Sequence, residues 1–134
     1  MSDDDDQEER LGPEIPANAR PRRQDYNFDL EQVLASVLSI RSHIPDDGFT
    51  AETLGTERGG NAALISSDGL VVTIGYLVTE AETIWLFDGE GRAVPGHVVG
   101  YDQETGFGLV QALQKLDLPP LELGSSESLR VGDP

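Results

Sequence analysis

The amino-acid sequence predicts a mostly β protein of the kind that forms a small β-barrel, and three observations support that prediction. Two apolar runs flank Ser67-Asp68-Gly69, and Asp-Gly between apolar runs is the strongest short-range signal of a β-hairpin, because both turn residues must tolerate positive φ. The second run, residues 70–74, is rich in β-branched side chains, which favour a pleated strand. Fifteen glycines and eight prolines in 134 residues indicate many turns, as in a small barrel.

Composition restricts the classes of function. The formal net charge of −16 argues against nucleic acid or an anionic membrane as a partner. The absence of cysteine excludes a disulfide frame, a thiol nucleophile and a zinc–thiolate site. No apolar run approaches the ~18 residues of a membrane span. The acidic start is the opposite of a basic signal-peptide start, so we expect a cytoplasmic location.

The N-terminal segment, residues 1–27, is predicted to be a disordered acidic tail. It contains an acidic block at residues 3–9 and an arginine cluster at residues 20–23, with almost no apolar side chains. Such a segment cannot offset the entropy lost on ordering. The folded domain is therefore expected to cover residues 28–134.

The folded domain is expected to begin with a short helix near Phe28. Asp29 suits the N-cap, and Gln32 lies three residues later, as in a capping box. The helix should be short, because residues 33–42 are β-like and predict a strand. Residues 46–58 are polar and are expected to form a surface loop.

Two further strands are predicted on either side of an Asp-Gly turn. Residues 83–87 carry large side chains on both faces, so one barrel cannot bury all of them. Residues 88–91 form the turn and residues 92–101 return, with Pro95 indicating a free edge or a bulge. The spacing of Asp88 and Glu90 also suggests a calcium loop, but the remaining ligand positions are missing, which favours a plain turn.

Residues 60–78 resemble the trypsin-like serine proteases, specifically the HtrA/Deg branch. In that family a glycine-rich start, a strand, an Asp-Gly turn and a second strand lead into Thr-Asn-x-His-Val-Val, whose histidine is the general base. Residues 73–78 here read Thr-Ile-Gly-Tyr-Leu-Val, so Tyr76 occupies the histidine position. Residues 102–110 resemble Asp-x-x-Thr-Asp-Leu-Ala-Val-Leu, and Gly106 occupies the position of the aspartate that orients the histidine.

The resemblance continues through residues 118–133, which are similar to the close of the family's first barrel. It implies a chymotrypsin fold: a single six-stranded antiparallel β-barrel, the first half of a two-barrel fold, truncated before the second barrel. In the family the second barrel carries the nucleophile, the oxyanion hole and the specificity pocket. We therefore expect these parts to lie outside this sequence.

Neither substituted position suits triad chemistry. A serine nucleophile needs a base whose pKa lies near the working pH; histidine side chains titrate near ~6.5 and tyrosine side chains near ~10. A glycine has no side chain with which to orient a base. We therefore predict no catalytic residues, with Tyr76 and Gly106 only occupying the family's positions, and we expect the chain not to be an enzyme.

Other ligand chemistry is not favoured by the sequence. His43 and His97 lack a third ligand at recognisable spacing and are expected to be exposed strand residues. We expect no metal and no cofactor. The chain is interpreted as a non-catalytic pseudoenzyme fragment that binds protein or peptide, with self-association through the face beside Tyr76 and Gly106. The alternative is the N-terminal half of a longer serine endopeptidase-family protein involved in proteolysis, whose second barrel is then the missing partner.

Overall fold

The computed structural model describes residues 14–133 and contains a closed six-stranded antiparallel β-barrel. The strands are β1 Val37–His43, β2 Glu57–Leu64, β3 Leu70–Ile74, β4 Thr83–Phe87, β5 Ala93–Tyr101 and β6 Phe107–Ala112. They follow each other around the barrel in the order β1-β2-β3-β6-β5-β4. The predicted mostly β architecture, with six antiparallel strands, is confirmed.

The chain divides into two units, residues 1–30 and 31–134. In the first unit, single 3-10 turns at Ala17–Ala19 and Arg23–Asp25 contain no buried residue, and the rings of Tyr26 and Phe28 lie 5.1 Å apart. Residues 1–13 of the predicted tail lie outside the described residues. The disorder of the tail stays a prediction.

Two short α-helices accompany the barrel strands. Helix α1, Leu30–Ala35, begins directly after Asp29, the predicted N-cap residue. Helix α2, Ala51–Leu54, lies within the polar stretch that was predicted to be a surface loop. That prediction was wrong for the end of the stretch, where Arg58 belongs to β2 and is buried. None of the helices in residues 14–133 has the length and apolar character needed to cross a membrane.

The predicted hairpin is formed by β2 and β3, which pair antiparallel through Ala63 opposite Val72. Its turn differs from the expected one, because only Gly69 has a positive φ, of 91°. Asp68 instead accepts a hydrogen bond from the Ser66 hydroxyl, and that hydroxyl oxygen accepts from the Leu70 N–H at 3.1 Å. This side-chain bonding closes a longer turn in which Asp68 needs no left-handed conformation.

The barrel interior is filled by aliphatic side chains from all six strands and from the segment after β3. Strand β4 shows the alternation clearly: Ile84 and Leu86 are buried in the core, whereas Trp85 is 46% exposed on the outside. The expectation that one barrel cannot bury both faces of this strand is confirmed.

Residues 88–91 form a plain turn between β4 and β5. The Asp88 carboxylate accepts hydrogen bonds from the N–H groups of Glu90 and Arg92, both at 2.9 Å. Further along β5, the Leu113 N–H donates to the Pro95 carbonyl at 2.9 Å. The reciprocal bond cannot form because proline has no N–H, so the ladder with β6 starts at the next residue, Gly96. Pro95 therefore marks a ladder end, and the bulge of β5 lies elsewhere, between Val98 and Gly100.

Candidate functional site

The structure brings together the two positions that the sequence resemblance singled out. A 3-10 helix, Gly75–Leu77, follows β3 and contains Tyr76. Gly106 closes the turn between β5 and β6, with a left-handed φ of 81°. The Gly75 N–H donates to the Gly106 carbonyl at 2.7 Å. Tyr76 and Gly106 therefore lie at the same end of the barrel, joined through one backbone hydrogen bond.

Close packing and local hydrogen bonds hold this end of the barrel. The ring of Tyr101 covers Gly75 so closely that a Cβ there would lie 1.9 Å from the ring Cε2, so any larger residue at position 75 would have to displace that ring. In the β5–β6 turn, the Asp102 carboxylate accepts hydrogen bonds from the Glu104 N–H at 3.1 Å and the Thr105 hydroxyl at 2.8 Å. The Asp102 carboxylate thus stabilises the β5–β6 turn to which it belongs.

The partner of Tyr76 is a buried cation. The guanidinium carbon of Arg58 lies 5.1 Å from the centroid of the Tyr76 ring, within the range of a cation–π contact. The same guanidinium donates from Nη1 to the Tyr76 carbonyl oxygen at 2.8 Å. Tyr76 itself stays 39% exposed, so one side of its ring faces the cation and part of it faces solvent.

Arg58 is only 2% exposed, and its donors bind across two segments. Its Nε donates to the Gly55 carbonyl at 3.2 Å, and Nη1 also points to the Thr79 carbonyl at 3.4 Å. Its Nη2 donates to the Thr50 hydroxyl oxygen at 2.8 Å. A buried charge is tolerated only when its hydrogen-bonding groups are satisfied, and here carbonyl and hydroxyl oxygens supply that satisfaction.

The Glu80 carboxylate completes the network from the other side. It accepts hydrogen bonds from the N–H of Phe49 at 2.7 Å and from the N–H and hydroxyl of Thr50, each at 2.8 Å. The Thr50 hydroxyl is the first cause that holds the pKa of Glu80 below its usual value; the charge of Arg58 contributes less. We call Thr50, Arg58 and Glu80 the clamp, because they fix residues 48–50 to the segment after β3.

Sequence reasoning missed the clamp because it assigned residues 46–58 to a surface loop. One signal was available. If β2 is extended backwards from Leu64, its period of two places residue 58 on the inward face together with Gly60, Ala62 and Leu64. The observed burial of Arg58 and Leu64 on one face agrees with that pattern.

The two histidines lie on separate strands. His43 pairs across β1 and β2 with Glu57, and its Nδ1 is hydrogen-bonded to that carboxylate, which raises the pKa of His43. His97 lies on β5 opposite Gln111. Both are exposed, as expected. Across residues 14–133, the structure contains no group of three or more His, Cys, Asp or Glu residues placed to hold a metal ion.

An exposed apolar surface surrounds the Gly75–Gly106 hydrogen bond. Ile74 and Phe107 lie directly opposite each other on β3 and β6, and Phe107 is 57% exposed. Tyr101, which covers Gly75, and Tyr76 are also partly exposed. We call these four residues, Ile74, Tyr76, Tyr101 and Phe107, the apolar rim.

The sequence of residues 60–134 matches the family described as “Trypsin-like peptidase domain”, a match that covers more than half of the chain. The chain therefore belongs to the trypsin-like peptidase family, and its barrel has an HtrA-type fold. The solved structure titled “HtrA-type protease AlgW with tripeptide” superposes with a TM-score of 0.65 at 23% identity, covering 78% of this chain and 31% of that one. A serine endoprotease from Yersinia pestis gives a TM-score of 0.62 at 18% identity, covering 78% of this chain and 35% of that one.

Curated sequences are similar over different lengths of the chain. “Serine protease HTRA1” of Xenopus tropicalis is 27% identical over 114 residues, which are 83% of this chain and 24% of the relative. “Probable periplasmic serine endoprotease DegP-like” of Chlamydia pneumoniae is 32% identical over 74 residues, which are 55% of this chain and 15% of the relative. The match thus spans about a quarter or less of each of these two relatives.

Proposed function

We propose that this chain is a non-catalytic member of the trypsin-like peptidase family, a protease-derived barrel that acts by binding protein or peptide. The observation that carries the proposal is the 2.7 Å hydrogen bond from the Gly75 N–H to the Gly106 carbonyl. It makes Tyr76 and Gly106 spatial neighbours, as the family's base and its orienting aspartate must be. Gly106 can offer only backbone groups there.

The surroundings of Tyr76 support a non-catalytic role. A general base in a triad is held by a carboxylate that stabilises its protonated form. The neighbour of the Tyr76 ring is instead the Arg58 guanidinium, which has donors and no acceptor. The carboxylates of Asp102 and Glu80 accept hydrogen bonds in the β5–β6 turn and the clamp.

The apolar rim supports the binding part of the proposal. Its four side chains are aromatic or branched aliphatic, and they remain exposed at the barrel end that carries Tyr76. Exposed apolar side chains clustered at one end of the barrel support an association surface there. A protein or peptide that offers apolar side chains suits it, and so does a second copy of this barrel.

A second candidate follows from the length of the relatives. The chain matches about a quarter or less of the two curated relatives compared above, which favours the first barrel of a longer serine endopeptidase-family protein involved in proteolysis. The missing second barrel is then the partner of the apolar rim. A native mass well above 14.5 kDa, measured on protein from its source, would support this candidate over the first.

Incubation of the purified chain with casein tests the non-catalytic proposal. We expect casein to remain intact on a gel, with trypsin as the positive control, because neither Tyr76 nor Gly106 provides triad chemistry. Casein cleavage that elutes together with the chain and is blocked by a serine-directed inhibitor would overturn the proposal.

A further inference from the structure

Phe49 combines an exposed side chain with a fixed backbone. The residue is 98% exposed, whereas its N–H donates to the Glu80 carboxylate at 2.7 Å. The residues around it form a tight turn, since the Gly48 N–H donates to the Pro45 carbonyl at 3.0 Å and the Ala51 N–H to the Gly48 carbonyl at 3.1 Å. An isolated exposed aromatic is ordinary, but this one is presented from a backbone that several hydrogen bonds fix.

The fixation of Phe49 involves backbone strain. Glu80 has a φ of 60°, an uncommon conformation for a residue other than glycine, and such strain persists where the surrounding structure over-determines it, frequently at functional sites. Gly48 leaves room for Glu80, because a Cβ there would lie 2.8 Å from Oε2 and would displace the carboxylate. The Thr50 hydroxyl is held in turn by Arg58 at 2.8 Å. The clamp therefore holds the chain beneath Phe49 while leaving its ring in water.

We propose that Phe49 is the anchor of a docking surface for a basic polypeptide. Exposed acidic side chains flank it in the chain: Asp46, Asp47 and Glu52. An aromatic anchor that enters an apolar pocket contributes most of the binding energy at many interfaces, and opposite charges around it steer association. The partner is thus a protein segment that combines Lys or Arg with apolar side chains.

The charge of the chain favours a basic polypeptide over other possible partners of the Phe49 surface. The net charge of −16 repels nucleic acid and anionic membranes, and it also repels a second copy of the chain. Fixing the backbone of the anchor residue before binding reduces the entropy lost on association, and the clamp fixes the Phe49 backbone through its N–H. The Phe49 surface is a different one from the apolar rim, and docking there does not depend on whether the chain is catalytic.

The test uses three fluorescent twelve-residue peptides, titrated with the full chain and followed by anisotropy. One alternates Lys and Leu, one alternates Lys and Ser, and one alternates Glu and Leu. We expect the Lys-Leu peptide to bind most tightly, because it alone supplies both charge and apolar side chains. Absence of binding by the Lys-Leu peptide, or equal binding of the Lys-Leu and Lys-Ser peptides, would overturn the proposal.

Two alanine variants locate the binding surface. Phe49→Ala is expected to weaken binding of the Lys-Leu peptide about tenfold, as for a hot-spot aromatic. Phe28→Ala is the matched control, since it removes another exposed phenylalanine, outside the apolar rim, and is expected to change the affinity less than about twofold. A loss with Phe49→Ala no larger than that with Phe28→Ala would show that Phe49 is not the anchor and would contradict the inference.

A third variant tests the role of the clamp. Glu80→Gln keeps the Phe49 ring but replaces the charged acceptor with a neutral amide. If the fixed backbone assists docking, this variant weakens binding by a smaller factor than Phe49→Ala, with an unchanged circular dichroism spectrum. An unchanged affinity would show that pre-organisation by the clamp has no part in docking.

Discussion

Glu80 accepts two hydrogen bonds from Thr50, one from its N–H and one from its hydroxyl, each 2.8 Å long. The hydroxyl oxygen of Thr50 also accepts a hydrogen bond from buried Arg58. Thr50 therefore ties the loop between β1 and β2 directly to Glu80 and, through Arg58, to the Tyr76 carbonyl. The clamp is therefore a structural support of the candidate site, and its removal should be measurable.

Replacing Arg58 by alanine is expected to destabilise the fold by about 2–4 kcal/mol, because it leaves partly buried oxygens without donors, at about 1–3 kcal/mol each. Arg41→Ala is the control. Arg41 is exposed and lies over the Phe87 ring at 6.0 Å, so its loss should change stability by about 0.5 kcal/mol or less. Chemical denaturation of both variants makes the comparison. Equal losses of unfolding free energy would show that the buried hydrogen bonds of Arg58 add no stability beyond that of an exposed arginine.

Replacing Glu80 by glutamine should lower the melting temperature in a pH-dependent way. Hydrogen bonds from Thr50 and Phe49 hold the pKa of Glu80 below the ordinary 4.5. A lowered pKa means that the charged group contributes its stability above about pH 4.5, and that the contribution is lost as pH falls through the lowered value. The melting-temperature difference from the parent chain should therefore be full at pH 7 and should shrink in acid.

The matched control for that series is Glu90→Gln, in the exposed turn between β4 and β5. It should melt close to the parent chain throughout the pH range. A difference between the parent chain and Glu80→Gln that stays constant into strong acid would mean that the charge of Glu80 does not stabilise the clamp.

The strand pattern of the barrel was predictable from the sequence because it depends on local chemistry. The run of β-branched residues 70–74 and the alternation in residues 83–87 fixed the bounds of β3 and β4, since β-propensity and period-two burial act within a few residues. The conformation of the hairpin turn was harder to predict. The hydrogen bond from Ser66 to Asp68 stabilises a turn without the expected pair of positive φ angles.

The candidate site was predictable only in part. The positions of Tyr76 and Gly106 could be located through the family resemblance, and the backbone bond between Gly75 and Gly106 makes them neighbours. The clamp was not predictable, because its residues are separated by up to 30 positions and interact through single atoms of Thr50. Polar side chains in an irregular stretch look solvated until the tertiary structure supplies their partners.

Self-association through the apolar rim should strengthen with salt. The rim leaves Ile74 and Phe107 exposed side by side, while the charge of −16 keeps copies apart at low ionic strength. Sedimentation at low and high salt measures the degree of self-association. The Phe107→Ser variant should remain monomeric to a higher salt concentration than the parent chain. A parent chain that is monomeric in both conditions and binds no hydrophobic dye would contradict the expectation.

Restoring the family's residues should not restore proteolysis. If Tyr76 and Gly106 occupy the family's positions as proposed, Tyr76→His with Gly106→Asp supplies a base and its orienter, but we expect the nucleophile and the oxyanion hole to be absent still. The Gly106→Asp change should also lower stability by about 1 kcal/mol, because residue 106 has a φ of 81° and only glycine adopts such angles freely. Gly89→Asp, at an open position without positive φ, is the control for stability. Peptide hydrolysis by the double variant above a buffer blank would contradict this account.

The most direct test of the central claim is labelling of the purified chain with a fluorophosphonate probe, which reacts with activated serine hydroxyls. The account predicts no labelled serine by intact-mass measurement, because no triad base and no orienting carboxylate are expected at Tyr76 and Gly106. Trypsin treated in parallel should be labelled. Stoichiometric labelling of a serine in this chain would contradict the claim that the barrel is non-catalytic.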